Sequence, residues 1–165
     1  MLSAAHCFEE PDNLSRYRVG HSMHKLGSGW LAHIHHISNH PSHTKICGTK
    51  PWNPPDFDFS IIHLASPVDF SKKVLPACLP DKSLGGDFLA GKDVTVSGWG
   101  LVDGGYYPGV LYKVTYPAIT NKKCKQYNDD SEDCSYITTN MLCAGNPLNR
   151  TASHGTGDSG GSIQC

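Results

Sequence analysis

Short runs rich in β-branched and aromatic residues recur along the chain, and turn-forming residues separate them. The runs are RYRVG, GWLAHIHHI, FSIIHLASPV, DVTVSGWG, LYKVTYPAI and GGSIQC. Strand-length runs at this spacing are typical of antiparallel barrels and sandwiches, so we predict an all-β fold. The only good helix candidate is TNKKCKQY, residues 120–127, with Thr120 or Asn121 as its N-cap. Residues 40–56 are rich in proline and glycine and predict a long surface loop.

The composition excludes several kinds of partner. The 165 residues carry a net charge of −1 with histidine neutral, and they contain no block of like charge. We therefore expect no nucleic-acid or anionic-membrane partner, since both require a basic surface. No apolar run approaches the roughly 20 residues of a membrane-spanning helix. The length suits one ordinary domain, and 17 glycines with 11 prolines fit a fold of many turns.

The cysteines indicate the redox compartment of the protein. There are seven, with no pair in a CxxC pattern, which favours disulfides in an oxidising compartment over a zinc site. Triplets at Asn13 and Asn149 match the N-glycosylation pattern of secreted proteins, although such triplets also arise by chance. The first residues, MLSAAHCFEE, lack the basic head and apolar stretch of a signal peptide. We therefore expect a secreted protein whose beginning lies upstream of this chain.

Three residues far apart in the sequence carry the groups that nucleophilic acyl transfer needs. His6 lies in LSAAHC, Asp58 in DFDFSIIHL and Ser159 in GTGDSGG. A serine hydroxyl needs a base to take its proton, and a carboxylate must orient that base. Taken singly, each has an ordinary interpretation as a structural histidine, a solvated aspartate or a hydroxyl in a glycine-rich turn. Asp56 competes with Asp58 for the carboxylate role, and we favour Asp58 because it directly precedes the strand.

The surroundings of these residues resemble those of the chymotrypsin/trypsin family of serine proteases. The segments LSAAHC, DFSIIHL, VLPACLP, VSGWG, MLCAG and GDSGG are similar to landmarks of that family and follow the same order. The resemblance implies two Greek-key antiparallel barrels with the active site between them. It implies a partial N-terminal barrel at residues 1–78, a linker at 79–92 and a partial C-terminal barrel at 93–165, which together form one peptidase domain.

The resemblance also assigns roles to individual residues. It implies that His6 is the general base, Asp58 its orienting carboxylate and Ser159 the nucleophile. The backbone amides of Gly157 and Ser159 would form the oxyanion hole, where glycine allows the backbone to approach a substrate carbonyl. The carboxylate of Asp158 would pair with the amine that activation frees at the start of the family's mature domain.

According to the same resemblance, both ends of the family's domain lie outside this chain. The activation sequence would precede residue 1, and the Ser-Trp-Gly strand that walls the specificity pocket would follow Cys165. An isolated segment of this kind is expected to be inactive, because strand edges and apolar faces of both barrels would be uncovered.

Two pairs of cysteines stand out against the family pattern. Cys124 and Cys143 match a local disulfide of the family. Cys47 and Cys134 have no family counterpart, and they lie in stretches that resemble two neighbouring loops beside the substrate cleft. We therefore predict a non-standard Cys47–Cys134 disulfide, and the alternative is two free thiols.

The expected specificity depends on residues just before the nucleophile. Ser153 lies six positions before Ser159, where trypsin-like members carry aspartate. Without that buried carboxylate, preference for lysine or arginine is not expected. The resemblance then implies a chymotrypsin-like or elastase-like pocket for apolar side chains, which His154 would make more polar.

Half of the ten histidines lie between His33 and His43. His33 and His35 would share a strand face and could chelate zinc or copper, and inhibition would be the expected effect, because the following loop borders the cleft in the family. We favour a solvated strand with no metal site, since no cysteine or carboxylate stands at a convincing ligand spacing.

The predicted function is that of a secreted serine endopeptidase which hydrolyses peptide bonds through an acyl-enzyme. It would need no cofactor and would act as a monomer on protein or peptide substrates, with protease inhibitors as further partners. The alternative is a non-catalytic homologue that works as a binding or decoy protein. The complete triad favours the protease. The ends expected outside this chain favour the alternative, as do Val94 and Gly155, which stand where the resemblance implies two family cysteines.

Overall fold

The computed structural model describes residues 1–45, 55–81, 84–85, 87–127, 137–145 and 155–165. The strands are β1 (Leu2–Ser3), β2 (Val19–His21), β3 (Trp30–Ala32), β4 (Ile34–Asn39), β5 (Thr44–Lys45), β6 (Pro55–Asp56), β7 (Ser60–Leu64), β8 (Asp93–Gly98), β9 (Tyr112–Ile119), β10 (Cys143–Ala144) and β11 (Ile163–Gln164). The α-helix is α1 (Asn121–Tyr127), and two single turns of 3₁₀ helix cover Ala5–Cys7 and Leu14–Arg16.

The N-terminal half is built around an antiparallel sheet in which β7 lies between β1 and β4. Along β7, Ser60 and Ile62 are buried, whereas Ile61 and His63 are exposed, as expected for a strand with one face on the core. Two further strand pairs, β2 with β3 and β5 with β6, belong to the same half. The buried apolar cluster consists of Phe8, Val19, Ile37 and Ile62.

The C-terminal half is a second antiparallel sheet, with the strand order β10, β9, β8, β11. The pairing of β8 with β9 runs from Asp93 opposite Pro117 to Gly98 opposite Tyr112. Val94 on β8 is fully buried and packs with Leu89 and Ala118. This half therefore has an apolar core of its own.

Helix α1 follows β9 and is fixed to the sheet by its cap and by a disulfide. The Thr120 hydroxyl accepts a hydrogen bond from the Lys123 amide at 3.2 Å, so Thr120 is the N-cap. The buried Cys124 is joined to Cys143, the first residue of β10. The side-chain amide of Asn121 also donates to two backbone carbonyls of the segment that leads into β10.

The disulfide is expected to contribute substantially to stability. It closes a loop with a sequence separation of 19 residues. Constraining a loop of this length in the unfolded chain is worth about 3 kcal/mol. Replacing Cys124 and Cys143 together by alanine should lower the free energy of unfolding by about that amount, measured by urea denaturation of this chain. Cys78→Ala, at an exposed thiol, is the control, and equal midpoints for both variants would contradict the expectation.

The N-terminal and C-terminal halves contact each other through residues 24–26, which precede β3, and residues 109–111, which precede β9. The Leu26 amide donates to the Gly109 carbonyl at 2.9 Å, and the Leu111 amide donates to the His24 carbonyl at 2.8 Å. A hydrogen bond of 3.2 Å from the Trp99 indole to the His24 carbonyl extends this contact. These contacts hold the two sheets side by side.

The prediction of an all-β fold is confirmed, and the predicted runs all contain strands. Two local predictions are wrong. GWLAHIHHI contains two strands, because the chain leaves β3 after Ala32 and a bulge shifts the register between Ile34 and His36. His33 is therefore outside both strands and does not share a strand face with His35. The predicted loop at residues 40–56 is not wholly irregular, since β5 and β6 pair within it.

The boundaries predicted for the two barrels and their linker stay a prediction.

Among the described residues, no helix is both long and apolar enough to cross a membrane.

Candidate active site

His6 is brought to the site by the first strand. β1 pairs with β7, with Ser3 opposite Ser60, so the turn that carries His6 starts beside the strand that follows Asp58. Ala5 is 1% exposed and anchors the turn in the interior. The two residues that are 52 positions apart in sequence thereby become neighbours.

The carboxylate of Asp58 contacts His6 with both of its oxygens. Oδ2 lies 2.6 Å from His6 Nδ1, and Oδ1 accepts a hydrogen bond from the His6 backbone amide at 2.8 Å. A carboxylate at Nδ1 favours the tautomer in which Nδ1 carries the proton, which leaves the Nε2 lone pair available as a base. The side chain of Asp58 is 23% exposed and that of His6 is 45% exposed, so the imidazole remains accessible.

Asp56, the competing candidate, faces other partners. Its carboxylate accepts hydrogen bonds from the Phe57 amide, the Thr138 hydroxyl and the Asn140 side-chain amide. Burial raises the pKa of Asp56, but the hydrogen bonds from Asn140, Phe57 and Thr138 outweigh it and hold the pKa below its ordinary value. Asp56 therefore ties β6 to the segment before β10.

A second histidine, His43, also approaches Asp58. Its Nδ1 lies 3.8 Å from Asp58 Oδ1, whereas the His6 ring contacts Oδ2. This buried nitrogen has no hydrogen-bond partner among the described residues. The His40 amide donates to the Phe59 carbonyl, and the His40 ring stacks on Phe57 at 4.8 Å. No sequence motif signals this neighbour, because it depends on a turn that folds back onto residues 57–59.

The turn that carries Ser159 lies against the turn that carries His6. A Cβ added at Gly160 would collide with Ser3 Oγ and would lie 3.3 Å from the Cys7 sulfur. Ser159 itself is exposed. No hydrogen bond joins its hydroxyl to His6 within the described part of the chain, and the polar contact of His6 Nε2 is the Cys7 sulfur at 3.8 Å. Catalytic hydrogen bonds are often long without substrate and tighten when it binds.

Two backbone amides at the serine turn have no hydrogen-bond acceptor among the described residues. Gly157 has a φ of +100°, which L side chains rarely adopt. Neither the Gly157 nor the Ser159 amide donates to any residue that the structure describes. Two such donors beside a nucleophile can stabilise the negative oxygen of a tetrahedral intermediate.

The carboxylate of Asp158 lies at the C-terminal end of β8, beside Gly98 and Gly100. Its carboxylate accepts hydrogen bonds from the Gly100 amide at 2.7 Å and the Gly155 amide at 3.0 Å. Side chains at Gly98 or Gly100 would overlap this carboxylate, which explains glycine at both positions. A cavity of about 450 Å³ adjoins Asp158, but His6, Asp58 and Ser159 do not line it, so it is separate from the triad.

The remaining predicted residues are placed as follows. Cys47, Cys134, Asn149, Ser153 and His154 lie outside the described residues. Asn13 is exposed, and its side-chain oxygen accepts a hydrogen bond from the Ser15 hydroxyl at 2.7 Å. Among the described residues, no cluster of three or more histidine, cysteine or acidic side chains could hold a metal ion.

Comparison with known proteins identifies the family. The family model described as Trypsin matches residues 1–165. The chain belongs to the trypsin family. Serine proteinase stubble of Drosophila melanogaster is 36% identical over 110 residues, which are 66% of this chain and 14% of that protein. Transmembrane protease serine 9 of Rattus norvegicus is 31% identical over 171 residues, with 100% of this chain and 15% of that protein covered.

A third curated relative and a solved structure are also similar to this chain. Vitamin K-dependent protein C of Oryctolagus cuniculus is 30% identical, with 98% of this chain and 34% of that protein covered. The solved structure of neuropsin, a serine protease expressed in the limbic system of mouse brain, superposes with a TM-score of 0.76 at 25% identity. That match covers 99% of this chain and 66% of the neuropsin chain. The chain thus spans about a third or less of the three curated relatives, and the trypsin-like fold is confirmed.

The thiol of Cys7 is expected to react slowly in this trypsin-family chain. Burial and the negative charge of Asp58 raise its pKa, and a hydrogen bond with Ser3 only partly offsets them. Less thiolate is therefore present at a given pH, and the thiolate is the reactive form. In the reduced chain at pH 8, iodoacetamide should modify Cys7 several-fold more slowly than the exposed Cys78, measured by peptide mass spectrometry. Equal rates in the folded chain would contradict this expectation, and equal rates in urea are the control.

Proposed function

We propose that this protein hydrolyses peptide bonds through an acyl-enzyme, with His6, Asp58 and Ser159 as the catalytic triad. The observation that carries the proposal is the two-oxygen contact of Asp58 with His6, next to the Gly160 backbone of the serine turn. Membership of the trypsin family supports the same chemistry.

In the proposed reaction each residue of the site has one role. His6 Nε2 takes the proton from the Ser159 hydroxyl while its oxygen attacks the substrate carbonyl carbon. Asp58 stabilises the imidazolium that forms, and the open amides of Gly157 and Ser159 donate to the negative oxygen. His6 then gives its proton to the departing amine, and the peptide bond breaks. Water enters, His6 takes its proton, and the acyl group leaves Ser159 as a carboxylic acid.

The proposed substrates are proteins or peptides with an apolar side chain before the scissile bond. Ser153 brings no carboxylate to the position that selects lysine or arginine in trypsin-like members, and His154 would add some polarity. We place the activity outside the cell, in a monomer subject to protease inhibitors. The seven cysteines and the Cys124–Cys143 disulfide support an oxidising compartment. The proposed architecture is two barrels, at 1–78 and 93–165, joined by a linker at 79–92.

The test is active-site labelling with a fluorophosphonate, which modifies an activated serine covalently. The experiment uses the full-length mature protein. We expect one label per molecule, mapped by mass spectrometry to the peptide that contains Ser159. His6→Ala should abolish labelling, whereas His24→Ala, at a histidine outside the triad, should leave it unchanged.

The outcome separates the two candidate functions. A folded product that shows no labelling at Ser159 would contradict the protease and favour the binding or decoy protein. Labelling that survives in His6→Ala would contradict the role of His6 as the base.

A further inference from the structure

Two histidines from neighbouring strands face each other on the outer surface of the N-terminal sheet. His36 on β4 is the register partner of His63 on β7. Their ring centres lie 5.6 Å apart, with an angle of 34° between the ring planes. Both residues are exposed, so an ion from solution can reach the rings.

This spacing matches that of two imidazoles on one metal ion. Zinc binds histidine nitrogen at about 2.0–2.1 Å, which holds two ring centres roughly 5 Å apart at a tetrahedral angle. A small rotation of exposed side chains covers the remaining difference. Imidazole is a good ligand for zinc, copper and nickel, whereas magnesium and calcium prefer oxygen.

A third residue, Ser38, contacts one of the two rings and can accept a hydrogen bond from it. The Ser38 hydroxyl lies 2.9 Å from His36 Nε2 and shares its face of β4, since residues two apart along a strand point the same way. When Nε2 carries the proton and donates it to this hydroxyl, the lone pair remains on Nδ1. Metal-binding histidines commonly donate their other nitrogen to such a partner. No described residue hydrogen-bonds to Nδ1 of His36 or to either ring nitrogen of His63.

We propose that His36 and His63 form a two-histidine binding site for Zn²⁺ or a similar transition-metal ion, with water as the remaining ligands. The site differs from the His33–His35 pair considered from the sequence, because the bulge in β4 makes His36 the residue that faces β7. It is also independent of the proposed peptidase activity.

The position of the site indicates what the metal does. It would join β4, the edge strand of the sheet, to the central strand β7. The stretch of β7 from Ser60 to His63 spans roughly 10 Å, so the ion lies at the end of the strand that is remote from Asp58. Binding to the folded form alone stabilises that form, so zinc should raise Tm and leave catalysis unchanged.

The test is a calorimetric titration of the full-length protein with zinc chloride, after free thiols have been alkylated, because thiolates bind zinc tightly. His36→Gln and His63→Gln should each weaken binding by at least tenfold and remove the zinc-dependent rise in Tm. His35→Gln and His33→Gln, at exposed neighbouring histidines, are the matched controls and should bind as the unmodified protein does. Far-ultraviolet circular dichroism verifies that all four variants are folded.

Two results would overturn the proposal. One is the absence of zinc binding by the unmodified protein. The other is full affinity in either His36→Gln or His63→Gln, which would place the bound zinc elsewhere.

Discussion

Replacing Ser159 by alanine should lower kcat for a peptide substrate by about 10⁶-fold, the scale on which loss of a triad nucleophile acts. The physical reason is that Ser159 supplies the attacking hydroxyl of the proposed triad, and Gly160 next to it packs against the turn that carries His6. The measurement is steady-state hydrolysis of a chromogenic peptide with an apolar residue before the scissile bond. KM should change far less than kcat, since the hydroxyl acts mainly in the transition state.

Ser162 provides the matched control for this change. It is an exposed serine three positions further along, and its hydroxyl contacts only the Gln164 side chain among the described residues. Ser162→Ala should keep kcat within about twofold, because surface changes away from a site have small effects. Comparable activity in Ser159→Ala and Ser162→Ala would show that Ser159 is not the nucleophile.

Replacing Asp58 by asparagine should lower kcat by about 10⁴-fold, the effect of this change in the family's triad template. An asparagine amide can donate to Nδ1, which stabilises the tautomer whose Nε2 carries a proton and cannot act as a base. It also removes the charge that stabilises the imidazolium. The contact of 2.6 Å between Asp58 Oδ2 and His6 Nδ1 is the geometry that this substitution changes. The rate should be measured across the pH range on folded protein.

Asp56→Asn is the matched control, two positions away. Asp56 binds Thr138 and Asn140 and does not contact His6, so its replacement should affect stability more than kcat. If Asp56→Asn lost activity and Asp58→Asn kept it, the assignment of the orienting carboxylate would be reversed.

Local patterns in the sequence predicted local structure well. The run FSIIHL predicted a strand, and β7 spans Ser60–Leu64 within it. The run TNKKCKQY predicted the only described α-helix with Thr120 or Asn121 as its cap, and the Thr120 hydroxyl is the one that caps it. These features depend on residues within a few positions of each other.

Contacts between distant parts of the chain could not be predicted from local sequence patterns. The sequence favoured Asp58 over Asp56 by its position before the strand, but the contacts that separate them are long-range: Asp58 contacts His6, 52 positions away, and Asp56 contacts Asn140, 84 positions away. The approach of His43 to Asp58 requires the turn at residues 40–43 to fold onto Phe59. Likewise, His36 and His63 become partners only through the register of β4 and β7, which a bulge adjusts.

The family resemblance predicted a common site for residues that no local pattern connects. His6 and Asp58 are 52 positions apart, and no periodicity of the chain connects them. Their motifs suggested a common site, and the pairing of β1 with β7 provides the physical link. The turn that carries Ser159 reaches the turn that carries His6 through Gly160, which lies against Ser3 and Cys7, so this approach depends on both halves of the protein.

The most direct test of the triad is detection of the acyl-enzyme. The full-length protein would be mixed rapidly with an activated ester, quenched in acid within the first turnover and analysed by intact-mass and peptide mass spectrometry. Our account predicts one acyl group per molecule, located on Ser159 and absent from Ser159→Ala. Hydrolysis without any acylated protein, or acylation of another residue such as Cys7, would contradict it.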